Sequence, residues 1–115
     1  MSTPLLVGLP YDASSSFLRG PAEAPVAVRR ALHGGSSNWS TERGSDLDPA
    51  AGRWCDGGDL EVPDDPAAAS TSIREAAATF DGPTVALGGD HFVTFPLVAA
   101  LARRHRDLTL LHVDA

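Results

Sequence analysis

Two apolar runs in this 115-residue chain each end in side chains able to hold a metal ion. The first, Ala86-Leu87-Gly88-Gly89-Asp90-His91, closes with two glycines, a carboxylate and an imidazole. The second, Leu108 to Val113, closes with Asp114, and the sequence stops one residue later. A neutral imidazole nitrogen and a carboxylate are both good ligands for first-row metals. His91 and Asp114 stand 114 − 91 = 23 residues apart, the length of one strand–helix–strand crossover, so adjacent strands can bring them together. Gly88 and Gly89 are expected to let the backbone turn sharply and approach an ion or substrate closely. Asp90 is read as bracing that turn, or capping the helix that starts near Val93, rather than binding metal. Without further context the pattern fits equally a capping Asp90 beside a hydrogen-bonded His91 that holds no ion.

Two other chemistries fit less well. A Gly-Gly step before a helix can cradle an anion through backbone N–H groups. Here the G-x-G-x-x-G spacing and a following Lys-Ser/Thr are both missing, and Asp90 would repel phosphate. For nucleophilic catalysis, Cys55 stands beside Trp54 with no fixed His, and Ser14-Ser15-Ser16 lacks a nucleophile elbow.

The elements that must position these residues are legible in outline. Pro4 to Leu9 is an apolar strand ending in Pro10, followed by a Ser-rich loop from Tyr11 to Gly20. Pro25 opens a helix with apolar positions at Val26, Ala27, Val28, Ala31 and Leu32, and Gly34-Gly35 stops it. Ser36 to Arg53 is a polar loop, in which Asn38, Trp39 and Glu42 are candidates for substrate-side contacts. Trp54 to Leu60 holds a short strand interrupted by Gly57-Gly58. Asp65-Pro66 starts an Ala-rich helix reaching about Phe80, with Asp as cap and Pro in the first turn. Thr84 to Leu87 is a continuous apolar strand, as a strand covered on both faces should be. Thr94 to His105 is a helix expected to bury Phe95, Leu97, Val98 and Leu101, with Pro96 in its first turn. Leu108 to Val113 is a last strand. This alternation predicts a three-layer α/β domain with a parallel sheet. All strand C-termini then share one edge, where ligand sites of such sheets lie.

Composition narrows the partners. Hydrophobic content of 43% is ordinary for a globular chain, and no apolar stretch reaches the roughly 18 residues of a membrane span. The N-terminus lacks a signal peptide's basic start, and a single Cys55 fits a reducing compartment, so a cytoplasmic location is expected. Net charge is −6, and among the nine basic residues, all arginines, only Arg103, Arg104 and Arg106 cluster. Nucleic acid is therefore not an expected partner.

The segment G-G-D-H-F-V-T-F-P-L, with L-L-H-V-D-A one crossover later, resembles the ureohydrolase family of arginases and agmatinases. The family pattern there is G-G-D-H followed by D-A-H-x-D, and F-V-T after the His is more agmatinase-like. G-L-P-Y-D, R-G-P-A-E-A-P-V-A-V-R from Arg19 and D-G-G-D-L from Asp56 are similar to the family's N-terminal third in the same order. The resemblance implies residues 1–115 to be the N-terminal part of a single arginase-like α/β domain, with no second domain. It implies a dinuclear manganese hydrolase that attacks a guanidinium carbon with hydroxide, releasing urea and an amine. Two metals lower the pKa of bound water, so hydroxide is available near neutral pH. His91 and Asp114 match two of the family's six Mn²⁺ ligands. His112 falls where the family has no ligand; it shares a strand face with Asp114 and is, with Asp90, a candidate to orient a ligand by hydrogen bonding rather than to bind the metal itself. The implied substrate is a small guanidino compound such as agmatine, and full-length relatives are expected to be homo-oligomers. Because the sequence stops inside D-A-H-x-D, these residues alone are expected neither to hydrolyse a guanidino compound nor to bind manganese tightly. The alternative reading is a non-catalytic remnant or interaction fragment of that family.

Overall fold

Leu5–Leu9 forms the central strand, β1, of a three-stranded parallel sheet in a computed structural model that describes residues 2–114. On one side it pairs with β2, Cys55–Asp59, and on the other with β3, Thr84–Gly88. Leu9 stands opposite Gly88, and Gly8 opposite Asp59, so the three C-terminal ends share one edge. The expected interruption at Gly57-Gly58 is present: Gly58 has φ +73°, and the β1–β2 register shifts between Leu6 and Gly8.

Helices lie on both faces. Alternation along β1 sends Leu6 and Gly8 to one face and Val7 and Leu9 to the other. On the Gly8 face lies α1, Ala24–Leu32, whose buried Pro25 approaches so closely that a Cβ on Gly8 would stand 2.9 Å from its Cβ. Val26 and Val28, read as apolar packing positions, are exposed. The packing side of α1 runs instead through Pro25, Arg29 and Leu32, at helical spacing. On the Leu9 face lies α2, Pro66–Ala78, which buries Ala69, Ile73 and Ala77 at i, i+4 and i+8. Leu9, Tyr11, Ala69, Ile73 and Val93 form the core there. The cap at Asp65 is as expected, its carboxylate accepting the Ala68 N–H at 2.9 Å.

The last helix, α3, spans Thr94–Arg104 and packs on α2. It buries Pro96 and Ala100, while Leu97, Val98 and Leu101 are half-buried. Phe95 is 61% exposed, contrary to expectation, because its ring carries the Arg74 guanidinium at 5.3 Å instead of entering the core.

The fourth strand is not formed. Leu108 to Val113 makes no ladder to β3, and Leu110, Leu111 and Val113 are exposed. A continuous apolar strand is stable with both faces covered, and no described residues cover these. Among the described residues, no helix is long and apolar enough to cross a membrane.

Candidate metal centre

The edge shared by the strand ends is built around the turn from Gly88 to His91. Beyond β1 the chain runs alongside this turn, and the two are stitched by backbone hydrogen bonds. Gly89 donates to the Leu9 carbonyl at 3.2 Å and Asp90 to the Tyr11 carbonyl at 2.8 Å. A Cβ on Gly89 would overlap the Tyr11 carbonyl oxygen and stand 2.8 Å from that of Leu9. Glycine is thus needed for a close approach, but to the protein's own backbone rather than to an ion. Neither Gly88 nor Gly89 has a positive φ, so the sharp turn expected of them is not what they supply. With these N–H groups occupied, the turn offers no anion cradle.

Asp90 performs both roles read from its position. Its Oδ1 accepts the Phe92 N–H at 3.0 Å, capping the short 3₁₀ turn His91–Val93 that leads into α3. Its Oδ2 accepts the Ser14 N–H at 3.0 Å and the Ser15 hydroxyl at 3.4 Å. The loop Tyr11–Gly20 is thereby tied to the turn, and Tyr11 adds a bond from its hydroxyl to Ser14 at 2.7 Å and a ring contact with Phe92 at 5.1 Å.

His91, the first residue of the 3₁₀ turn, is exposed. Its Nδ1 lies 3.7 Å from Asp114 Oδ2, although the segment before Asp114 does not pair with β3. His91 and Asp114 are thus brought together, but by the end of an unpaired segment rather than by adjacent strands. His112 Nε2 lies 3.7 Å from the same carboxylate oxygen, and its ring meets His91 edge-on at 5.0 Å. One donor atom from each of the three falls within 4.8 Å of the others. A cleft of about 530 Å³, lined by Gly89, His91, Thr94 and the chain from Leu110 to Asp114, opens over them.

The other loop candidates lie elsewhere. Asn38 and Trp39 line a cleft of about 340 Å³ with Pro4, Trp54 and Val85, near the N-terminal ends of the strands and so at the opposite edge. Trp39 packs between His33 and Trp54, and Asn38 Oδ1 accepts the Ser40 N–H at 3.0 Å, which are structural roles. Glu42 is exposed in the same loop. A substrate-side role for these three is not supported by their placement.

Sequence reasoning missed two ionic locks that hold this architecture. Asp12, 6% exposed, accepts the backbone N–H groups of Gly20 and Ala22 and the Arg19 Nε, at 2.8, 3.2 and 2.8 Å. These bonds, the Gly20 amide foremost, hold its carboxyl below the usual carboxylate range. Arg29, on the packing side of α1, bonds both oxygens of Asp56 at 2.8 and 2.9 Å and also reaches Asp59 and the Gly58 carbonyl. The Arg29 hydrogen bonds lower the Asp56 pKa and raise that of Arg29. The available signal was an arginine one turn after Pro25, on a helix followed by Asp-Gly-Gly-Asp.

Comparison with known proteins bears on what such an edge belongs to. The sequence model of the Arginase family matches residues 3–115. The chain is 36% identical over 122 residues to arginase 1, mitochondrial, of Oryza sativa subsp. japonica, covering 96% of this chain and 35% of that protein. It is 27% identical over 115 residues to an agmatinase of Bacillus cereus, covering 96% of this chain and 39% of that protein. Among solved structures, the arginase of Medicago truncatula superimposes with a TM-score of 0.74 at 31% identity, over 89% of this chain and 34% of that one. The agmatine ureohydrolase of Thermoplasma volcanium gives a TM-score of 0.72 at 28% identity, over 86% of this chain and 34% of that one. The chain thus spans 35–39% of the length of these two sequence relatives. A parallel sheet of the same architecture and a family match running nearly end to end agree, and the chain belongs to the arginase family.

Proposed function

We propose that this chain forms the N-terminal metal corner of an agmatinase-like ureohydrolase, which hydrolyses a guanidino C–N bond to release urea and an amine. The observation that carries the reading is the convergence of His91 and Asp114 at the shared strand edge in an arginase-family chain. Their donor chemistry fits: a carboxylate with an imidazole suits Mn²⁺. Two such ions, when bound, make water a nucleophile at neutral pH. In this reading His91 contributes Nδ1 and Asp114 its carboxylate, while Asp90 fixes the His91 turn against the Tyr11–Gly20 loop. The agmatine preference rests on Phe92-Val93-Thr94 after the His. Arginine is the second reading, favoured by the higher identity to plant arginases.

The test is urea release from agmatine and from arginine by the native protein supplied with Mn²⁺. Agmatine turnover that a chelator abolishes, Mn²⁺ restores and His91→Ala removes is expected. Faster turnover of arginine selects the second reading, and urea release that survives both chelator and His91→Ala sinks the first and second together. From a polypeptide of residues 1–115 alone no urea is expected, because the donors described supply too few ligands for two ions.

A further inference from the structure

We infer that Phe17 and Leu18 form the specificity wall of the substrate site, selecting guanidino compounds whose far end carries no carboxylate. The inference rests on the reaction proposed above and adds the residues that choose its substrate. Phe17 is 89% exposed and Leu18 67%, two large apolar side chains side by side in the loop that follows β1. Adjacent exposed apolar side chains beside a cleft mark a surface for a ligand. The loop is clamped on both sides of them. Asp90 accepts the Ser14 N–H and the Ser15 hydroxyl, while Asp12 accepts the Arg19 guanidinium and the Gly20 N–H. Between the clamps lie Ser16, Phe17 and Leu18, so this tip is held at a fixed place beside the His91 turn.

Between the tip and that turn lies a cleft of about 350 Å³ with Phe17, Leu18, Pro21 and Phe92 among its walls. His91 lines this cleft and also the one of about 530 Å³ over Asp114, so the two share that residue. A substrate with its guanidino group at the metal corner can therefore run its tail past His91 to Phe17. Among the described residues no arginine lines this second cleft, and Arg19 is engaged by Asp12 and Asp64. Asp90, the carboxylate that does line it, already accepts hydrogen bonds from Ser14, Ser15 and Phe92. A substrate carboxylate would lose its water against Phe17 and Leu18 with no cation to replace it, which is costly. A methylene chain gains from the same surface, and a terminal ammonium is attracted to the face of the Phe17 ring. The serine hydroxyls of the loop can meet either charge and do not discriminate.

Steady-state urea release from agmatine, arginine and 4-guanidinobutyrate by the native protein with Mn²⁺ is the test. The parent is expected to favour agmatine over both carboxylates. Phe17→Ala is expected to raise the agmatine KM by about tenfold with a far smaller change in kcat, as loss of one aromatic contact to the tail requires. Phe17→Arg supplies the missing cation, and the kcat/KM ratio of 4-guanidinobutyrate to agmatine is expected to rise by at least about tenfold. A gain of that kind cannot come from misfolding. Val26→Ala, an exposed apolar truncation on α1, is expected to match the parent with all three compounds. Urea release that needs His91, yet keeps the parent's KM in Phe17→Ala and the parent's ratio in Phe17→Arg, refutes the wall and leaves the proposed reaction standing. A parent that favours a carboxylate-bearing substrate overturns the wall as well. No urea from any of the three brings down the proposed reaction, and this inference with it.

Discussion

The carboxylate of Asp90 holds the backbone N–H of Ser14, a residue 76 positions earlier, at 3.0 Å. The same side chain caps the turn that carries His91. One residue therefore joins the loop after β1 to the proposed metal ligand. Asp90→Ala is expected to lower stability by about 1–2 kcal/mol, the sum of a lost cap and a lost charge-assisted bond. Asp90→Asn keeps a carbonyl oxygen for one of the two N–H groups and is expected to lose about half as much. Amide exchange at Ser14 and Phe92 should quicken in Asp90→Ala, and unchanged protection at both would refute the tie.

Gly89 and Gly88 look equivalent in sequence but differ in what surrounds them. A methyl on Gly89 meets the Tyr11 and Leu9 carbonyls, which are backbone and cannot rotate away. A methyl on Gly88 meets Val93 Cγ2 at 3.1 Å, a side-chain atom that can give by a few tenths of an ångström. Gly89→Ala is expected to cost roughly 1–3 kcal/mol and Gly88→Ala less than about 1 kcal/mol. Denaturant midpoints of the two variants decide this. Equal midpoints would show that the two chain segments can part without penalty.

The pair also shows where sequence reasoning stopped. G-G-D-H was legible as a strand end followed by a capped helix, because Asp and Gly carry local backbone signals. What the glycines make room for was not legible, since Tyr11 reaches them only through the tertiary fold. The same holds for Phe95: periodicity placed it on the helix, but only the packing of α2 against α3 shows it lying over Arg74. Leu108 to Val113 reads as a strand from its residues alone, yet pairing depends on neighbours that its own sequence does not specify. The role of Arg29 was not legible, because the two aspartates it serves lie across a crossover from it.

Arg104 links α3 to the end of α2. Its guanidinium lies 3.3, 3.4 and 2.7 Å from the carbonyls of Ala77, Ala78 and Phe80, at the C-terminal end of α2 where the negative end of the helix dipole lies. Arg104→Met, which keeps the stem and removes the donors, is expected to cost about 0.5–1 kcal/mol. The thermal midpoint should fall less at high salt than at low salt. A salt-independent loss would assign the effect to packing of the stem instead.

Arg29 bridges Asp56 and Asp59 with a side chain only 17% exposed, and the Asp56 carboxyl is lowered from its ordinary value of 3.8, first by the Arg29 hydrogen bonds. A carboxyl whose pKa is lower in the folded chain than in the unfolded one binds fewer protons when folded. Its contribution is therefore whole above pH 3.8 and is lost as pH falls through the lower folded value. Arg29→Met is expected to be less stable than the parent at neutral pH, by about 1 kcal/mol once solvent screening is allowed for. The difference should shrink as acid protonates Asp56, because the parent then loses the same interaction. Asp12, held by the Gly20 amide and Arg19 at a separate position, should keep its own acid dependence in both proteins. Denaturant midpoints measured from neutral pH to below that value test the argument, and a gap that stays constant with pH would place the Arg29 effect in packing rather than in charge.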